Sequence, residues 1–453
     1  MKRFIQKKIV LPTIFLARNE PVYRSLKFLE MSQWFDHEKL AALQLQKLRN
    51  ILTVAQKNVP FYRDQWHAAN INPNDLNTLQ DLASFPFLNK NHLNSLPVAN
   101  FLSSQNPKYF SIRKTTGTTG KPVVIFADRL TSACSLAARY RSVGWHGIEP
   151  GDKEARFWGA AYSTKDKIHQ SVKDFLLNRI RIPSSIAGVA DACTKLKLIE
   201  KFRTDYFYGY PSMIYKFTRM VEEISKPKLN IKSIISTAEK LHSFQKQKIE
   251  SFWGAKVIDE YGCSETDIIA FECEHGRKHI LSENILVEII DNENYQEGKG
   301  EIVITDLNNT LMPLIRYRIG DLGQFDPSPC PCGRNLPVLK SVDGRTSLVQ
   351  FIRLPNGELK HSVIFAYLFE NYGSDGLPIA QFKVIQESIE HICVLIVPPQ
   401  GHASNLFSEL SNSLKRDFNN FFGNEMSLSI NFVDEIPQNH QGKIGYFETK
   451  LTI

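Results

Sequence analysis

Short apolar segments alternate with helical stretches through the middle of the chain, and this alternation restricts the possible folds more than any other feature. Three of the segments are S-I-I-S at 233–236, K-V-I-D at 256–259 and E-I-V-I-T at 301–305. Strands that alternate with helices are typical of α/β proteins. The sequence therefore predicts an α/β body.

The pattern changes after about residue 345. Two strand-like segments, 381–386 and 391–397, precede a helical stripe at 407–421 and another strand candidate at 426–433. A β-β-α-β unit of about 100 residues has the size of a small α+β domain.

A chain of 453 residues is also too long for one ordinary core. We therefore expect a large N-terminal domain, residues 1–345, and a small α+β C-terminal domain, residues 346–453.

Composition narrows the class of protein. Hydrophobic residues make up 42% and charged residues 23% of the chain, which is the range of globular proteins. A net charge of +8 suits an anionic small molecule, an anionic membrane surface or nucleic acid. Nucleic acid ranks last because no motif for binding it is present.

The N-terminal segment carries basic residues followed by an apolar run at 9–17, which Pro12 and Thr13 interrupt. The run is too short to span a bilayer. We interpret the segment as a basic arm packed on the body of a cytoplasmic protein, with at most weak membrane-surface contact as the alternative.

The stretch K-T-T-G-T-T-G-K-P at 114–122 predicts a phosphate-binding loop. Small residues let backbone N–H groups approach phosphate oxygens, hydroxyls add donors, and lysine adds charge. The spacing of its glycines differs from that of the common P-loop. The candidate binding residues are Thr115, Thr116, Gly117, Thr118, Thr119, Gly120 and Lys121.

Four further motifs follow in order. Y-G-C-S-E-T at 261–266 comes directly after a predicted strand, where α/β proteins bind ligands. In it, the Tyr261 ring could stack on a base and the Glu265 carboxylate could hold Mg²⁺. R-Y-R-I-G-D ends at Asp321, a candidate acceptor for ribose hydroxyls. D-G-R ends at Arg345, and Q-G-K ends at Lys443.

Taken in order, these motifs resemble those of the adenylate-forming ligases, which include acyl-CoA synthetases, nonribosomal adenylation domains and luciferases. Within that superfamily the chain is most similar to phenylacetate-CoA ligases, and especially to CapK-type enzymes of capsule and surface-polysaccharide clusters. Residues 43–63 and P-C-P-C-G-R-N-L-P at 329–337 resemble two more signatures of these enzymes. The resemblance runs from about residue 37 to about residue 446.

The resemblance implies a large multi-sheet adenylation domain and a small mobile C-terminal domain. It also implies that ATP and Mg²⁺ activate a small carboxylic acid as an acyl-adenylate, which then passes to CoA or another nucleophile. The loop threonines and Lys121 would hold the β- and γ-phosphates. Ala238 and Glu239 would stand where the family has its G-G-E loop beside adenine. Arg345 would contact phosphate or ribose oxygens, and Lys443 would bridge the reacting carboxylate and phosphate by charge.

Two departures from the family pattern favour adenylation over transfer to CoA. Ser347 stands where the family has an acidic or basic hinge residue, and the loop for the thioester step is not recognisable in residues 348–360. Two alternatives therefore stay open: a nucleotide-binding scaffold without turnover, and an adenylyltransferase that stops at AMP transfer. Retention of both Glu265 and Lys443 argues against the scaffold.

Cysteines and histidines cluster in two segments, C-E-H-G-R-K-H at 273–279 and C-P-C at 330–332. Thiolates and imidazole are zinc ligands, and some phenylacetate-ligase relatives carry a structural zinc in this region. The predicted ligands are Cys273, His279, Cys330 and Cys332, with His279 preferred over His275. The alternative is a set of unconnected reduced thiols.

No motif in the sequence identifies the carboxylic acid that would be the substrate. Trp158, Tyr208 and Tyr210 are candidates to line its pocket, because aromatic side chains line apolar ligand sites. Core packing is an equally good interpretation of these three residues.

Overall fold

The fold is taken from a computed structural model. It describes residues 3–105, 109–114, 123–158, 164–183, 186, 188–224, 227, 229–291, 298–343, 351–357, 359–361, 365, 379, 381–398, 404–423, 426–436 and 447–451.

Helices cover the N-terminal part and flank the central strands. Those in the described residues are α1 Arg3–Ile5, α2 Leu11–Ala17, α3 Val22–Ser32, α4 His37–Asn58, α5 Pro60–Ala68, α6 Lys90–Ser95, α7 Arg129–Gly144, α8 Thr164–Leu176, α9 Val189–Phe202, α10 Pro211–Glu222, α11 Ser243–Trp253 and α12 Ser404–Phe422. A π-helical turn, Gln6–Val10, joins α1 to α2, and short 3₁₀ turns occupy Pro73–Asp75, Gln80–Ser84 and Val98–Phe101. Among the residues described, no helix combines the length and apolarity needed to cross a bilayer.

Within the part of the chain that the structure describes, eleven strands form one mixed sheet. Its strands are β3 Glu154–Phe157, β4 Arg179–Ile182, β5 Tyr206–Gly209, β6 Ile234–Thr237, β7 Val257–Cys263, β8 Asp267–Glu272, β9 Lys278–Ile280, β10 Ile285–Asp291, β11 Lys299–Asp306, β12 Tyr317–Asp326 and β13 Val338–Asp343. Their spatial order is β10-β11-β12-β13-β9-β8-β7-β6-β5-β3-β4.

The sheet has a parallel half and an antiparallel half. Strands β4, β3, β5, β6 and β7 run parallel, and every pairing from β7 through β8 to β10 is antiparallel. All four residues of β6 are buried, as expected for a strand covered by helices on both faces. The predicted α/β class is confirmed.

A hairpin of β1 Phe110–Lys114 and β2 Val124–Asp128 forms a separate two-stranded sheet. Its register pairs Lys114 with Val124, so these strands hold the two ends of the predicted phosphate loop side by side. The loop, 115–122, lies outside the described residues.

In the described residues, a small sheet and the helix α12 form the C-terminal unit. Its strands are β16 Gln381–Ser388, β17 His391–Val397, β18 Ser427–Phe432 and β19 Phe447–Thr449, in the order β18-β17-β16-β19. A separate hairpin pairs β14 Phe351–Arg353 with β15 Leu359–His361. Apolar residues of this sheet and of α12 form one buried cluster. This confirms the predicted small sheet domain, while the exact boundary at residue 345 stays a prediction.

Candidate active site

Tyr261 and Asp321 meet although they come from different motifs. The Tyr261 hydroxyl donates a hydrogen bond to Asp321 Oδ2 at 2.8 Å. Burial, together with the charge of Asp321, raises the pKa of Tyr261 well above its usual range, so the phenol keeps its proton and donates. The tyrosine therefore fixes the direction in which the Asp321 carboxylate points.

Glu265 lies on the loop between β7 and β8, and two neighbours position it. Tyr317, at the start of β12, donates its hydroxyl to Glu265 Oε1 at 3.0 Å. Arg113 Nη1 donates to the backbone oxygen of Glu265 at 3.4 Å. Arg113 belongs to the strand that leads directly into the predicted phosphate loop. The backbone of the residue predicted to hold Mg²⁺ is thus linked to the strand that leads into the predicted phosphate loop.

Ala238 and Glu239 directly follow β6, and Tyr261 lies near the end of β7, the parallel neighbour of β6. Adjacent parallel strands end at the same edge of a sheet, which is where such sheets bind ligands. Ala238 has φ +67°, in the left-handed region that glycine adopts without strain. Glu239 Oε2 accepts from the backbone N–H of Ser212 at 3.3 Å.

The remaining predicted nucleotide contacts lie outside the described residues. They are Thr115, Thr116, Gly117, Thr118, Thr119, Gly120, Lys121, Arg345 and Lys443. Their roles stay predictions.

A buried polar group under the site was missed from the sequence. Glu260 accepts from the Tyr208 hydroxyl at 2.6 Å and from Thr237 Oγ1 at 2.9 Å, and its Oε2 lies 3.3 Å from Arg139 Nε. Arg139 also reaches Asp267 at 2.6 Å. These bonds lock together the ends of β5, β6 and β7. The available signal was the pair of acids, Asp259 and Glu260, that directly precedes Tyr261 in β7.

The aromatic pocket candidates lie together. Trp158 packs against Tyr210 with ring centroids 4.4 Å apart, and against Tyr208 at 6.3 Å. Both tyrosines are buried. The Arg156 guanidinium lies 4.3 Å from the Tyr208 ring centroid. The three rings form one wall beside the ends of β3 and β5, a location that suits both a ligand wall and core packing.

The predicted metal ligands converge. One ligand atom from each of Cys273, His279, Cys330 and Cys332 lies within 4.8 Å of all the others. The sulfurs of Cys273 and Cys330 are 3.7 Å apart, close to the ~3.8 Å expected for two thiolates on a tetrahedral zinc with bonds of about 2.3 Å. His275 is not part of this group.

The imidazole of His279 is oriented for metal binding. Its Nδ1 lies 2.8 Å from the carbonyl oxygen of Leu336, and a carbonyl can only accept, so Nδ1 carries the proton. Nε2 then presents its lone pair, 3.2 Å from Cys332 Sγ. Burial lowers the pKa of His279, which keeps the ring neutral. Three sulfurs and one neutral nitrogen fit a closed zinc site.

A cavity of about 790 Å³ lies elsewhere, beside the N-terminal helices. Tyr23, Tyr140 and Trp145 are among its lining residues, and none of the predicted site residues lines it. We therefore do not connect this cavity with the chemistry.

Solved structures share the fold. The structure of 2-hydroxyisobutyryl-CoA ligase in the postadenylation state, in complex with 2-HIB-AMP, superposes with a TM-score of 0.73. The superposition covers 92% of this chain and 90% of that chain, and the two sequences are 20% identical. The likeness establishes the fold of the adenylate-forming ligases.

Sequence comparisons give the family. The phenylacetate-coenzyme A ligase of Aromatoleum evansii is 30% identical over 72% of this chain and 74% of its own length. Protein CapK of Staphylococcus aureus is 22% identical over 89% of this chain and 88% of that protein. The family described as CapK C-terminal domain matches residues 355–450. The chain belongs to the phenylacetate-coenzyme A ligase family of adenylate-forming ligases, which confirms the predicted resemblance.

Proposed function

We propose that this protein activates a small carboxylic acid with ATP and Mg²⁺ and then transfers the acyl group to coenzyme A. In the first step a carboxylate oxygen attacks the α-phosphorus, and pyrophosphate leaves with the electrons of the broken P–O bond. In the second step the CoA sulfur attacks the acyl carbon, and AMP leaves. The names of the relatives, which are coenzyme A ligases, support this assignment.

The observation that carries the proposal is the pairing of two acids with two tyrosines at one edge of the sheet. Asp321 is oriented by Tyr261, and Glu265 by Tyr317. Asp321 would accept from the ribose hydroxyls. Glu265 would hold Mg²⁺, which supplies positive charge to the transferring phosphates. Tyr261 would lie beside the base, with Ala238 and Glu239 at the adenine side.

Two lysines would complete the charge balance. Breaking the bond to pyrophosphate concentrates negative charge on oxygens, and a positioned cation lowers the barrier most where that charge develops. Lys121, in the predicted phosphate loop, would act on the β- and γ-phosphates. Lys443, in the small domain, would act between the carboxylate and the α-phosphate when that domain closes.

We also propose one structural Zn²⁺ held by Cys273, His279, Cys330 and Cys332. Four protein ligands leave no open coordination position, which is typical of structural sites. The site would tie the β8–β9 turn to the segment before β13, because these ligands come from segments 57 positions apart. It would thereby brace the antiparallel half of the sheet next to β12, which carries Asp321.

We further propose that this protein serves surface-polysaccharide biosynthesis. The match to the CapK C-terminal domain over residues 355–450 and the similarity to Protein CapK support it. The activated acid would then be destined for a sugar or carrier group, with CoA as the intermediate acceptor.

Acid-dependent exchange of labelled pyrophosphate into ATP, screened over a panel of small carboxylic acids, tests the first step. A second assay adds CoA to each acid that supports exchange and measures the thioester by mass spectrometry. Exchange followed by thioester formation is the expected result. ATP binding without exchange for any acid would support the scaffold alternative, and exchange without thioester would support an adenylyltransferase.

A further inference from the structure

The N-terminal arm, residues 3–18, has one buried face and one exposed apolar face. Leu11 and Phe15 point into the core formed with α3 and α7. On the outside, Ile9 is 55% exposed and Leu16 is 82% exposed, with Phe4 at 70%. A packed arm requires only its inner face to be apolar, so the outer apolar side chains need a separate explanation.

A second helix extends this apolar surface. Gln6 Nε2 donates to the backbone oxygen of Leu176 at the end of α8, which brings the two helices together. Val172 and Phe175, three residues apart on α8, are 55% and 67% exposed. We define the apolar patch as Phe4, Ile5, Ile9, Leu16, Val172 and Phe175. Large exposed apolar side chains on two helical segments that are linked by a hydrogen bond are typical of an interaction surface.

The N-terminal arm is basic, although its Lys7 and Arg18 form ion pairs with Glu149 and Glu20. Residues 1–19 contain five lysines and arginines and no acidic residue. Lys8 is exposed directly beside Ile9, and Lys173 is exposed between Val172 and Phe175. A helix with apolar and cationic residues on its outer surface is the signature of segments that lie in the interface of an anionic membrane.

We propose that the arm and α8 dock this protein on an anionic membrane surface, with the apolar patch among the lipid chains and the flanking lysines at lipid phosphates. A second copy of the chain is a less suitable occupant. A symmetric contact through this patch would bring two acid-free basic arms against each other. The docking is peripheral, because no helix of the described residues could cross the bilayer.

Vesicle flotation of the full-length protein tests the proposal. Vesicles of phosphatidylcholine are compared with vesicles that also contain about 30 mol% phosphatidylglycerol, at low and high salt. The main variant is Ile9→Glu combined with Leu16→Glu. Its matched control is Leu96→Glu combined with Ile389→Glu, since these two side chains are 40% and 38% exposed elsewhere on the surface.

We expect wild type and control to float only with anionic vesicles, and high salt to release them. The partition coefficient onto anionic vesicles should fall at least roughly tenfold in Ile9→Glu/Leu16→Glu. It should fall roughly fivefold in Lys8→Gln. All variants should keep their melting temperature and pyrophosphate exchange, because the changed side chains are exposed and lie outside the nucleotide site.

Two results would overturn the proposal. One is wild-type protein that does not bind anionic vesicles; the other is binding that survives Ile9→Glu/Leu16→Glu. Sedimentation analysis of the same proteins tests whether a second copy of the chain occupies the patch instead of a membrane. A wild-type dimer that the double variant converts to monomer, without vesicle binding, would assign the patch to a contact between copies.

Discussion

Tyr261 gains a second role when the sequence is compared with the fold. As part of Y-G-C-S-E-T, its ring was predicted to lie beside the base. The fold adds that its hydroxyl orients Asp321, 60 positions further along the chain, at 2.8 Å. Each motif could be recognised by itself. The bond between them could not, because it depends on how β7 and β12 lie in the folded sheet.

Replacing Tyr261 with phenylalanine tests this role, because it keeps the ring and removes the donor. We expect KM for ATP to rise roughly tenfold, the usual size for loss of a hydrogen bond to a charged group. Asp321→Ala, which removes the carboxylate itself, should raise KM for ATP by roughly a further tenfold. Tyr23→Phe is the control, since the Tyr23 hydroxyl donates to the backbone oxygen of Lys7 in the N-terminal arm. Unchanged KM in Tyr261→Phe would show that the hydroxyl does not position Asp321 for ATP.

The proposed nucleotide site and the proposed zinc site are both built from strand ends and turns. The zinc ligands were predicted from residue type and from the resemblance to phenylacetate-CoA ligases, since C-P-C has a looser spacing than common zinc motifs. Their convergence depends on the pairing of β13 with β9, in which Val338 lies opposite His279. No local pattern predicts such a pairing across some 60 positions, so the sequence named the ligands without their geometry.

We predict about one zinc per chain in protein purified without chelator, measured by elemental analysis. Cys330→Ser should lose most of that zinc and lower the melting temperature, because metal binding contributes to folding stability. Cys393→Ser is the matched control: Cys393 is buried in the C-terminal sheet, so its replacement alters packing without changing metal content. Stoichiometric zinc in Cys330→Ser, or none in wild type, would contradict the site.

The start of β3 carries a carboxylate that should make stability depend on pH. Burial by itself raises the pKa of Glu154, but Arg156 and Arg179 outweigh it and bring the pKa from 4.5 to about 2. A carboxylate with a lowered pKa in the folded state stabilises the protein above its ordinary pKa. That contribution is lost as the pH falls from 4.5 towards 2.

Glu154→Gln imitates the protonated form, so it should destabilise the protein near neutral pH by on the order of 2 to 3 kcal/mol. The difference in melting temperature between wild type and Glu154→Gln should shrink as the pH is lowered through this window. A difference that stays constant between pH values above and below the window would contradict the assignment. Lys248→Gln, at an exposed ion pair with Glu222, serves as a control with little expected effect.

At the scale of the molecule, the sequence was informative about element types and less so about their arrangement. The C-terminal strands at 381–386 and 391–397 and the helical stripe between 407 and 421 were predicted close to their observed positions. The strand β19, with three residues, was missed because so short a segment has no readable alternation. E-I-V-I-T was predicted as a strand, but its antiparallel neighbours β10 and β12 follow only from the folded sheet.

The arm offers a test of its inner face that is independent of membranes. Phe15 is 5% exposed and its neighbour Leu16 is 82% exposed. Phe15→Ala should therefore destabilise the protein by about 3 kcal/mol or more, as large core truncations do, whereas Leu16→Ala should change stability by about 0.5 kcal/mol at most. Chemical denaturation measures both. Equal effects of the two replacements would show that the arm does not pack as described.

The central claim, that this chain forms an acyl-adenylate, is tested most directly by Lys443→Ala in acid-dependent pyrophosphate exchange. Two anions meet at the reacting phosphorus, so a positioned cation acts mainly in the transition state. We predict a loss of roughly 10² or more in exchange with little change in ATP binding. Lys450→Ala is the control, since Lys450 pairs with Glu387 on the surface of the same domain. Exchange at the wild-type rate in Lys443→Ala would contradict the assignment of this lysine and the closing small domain on which the proposed mechanism rests.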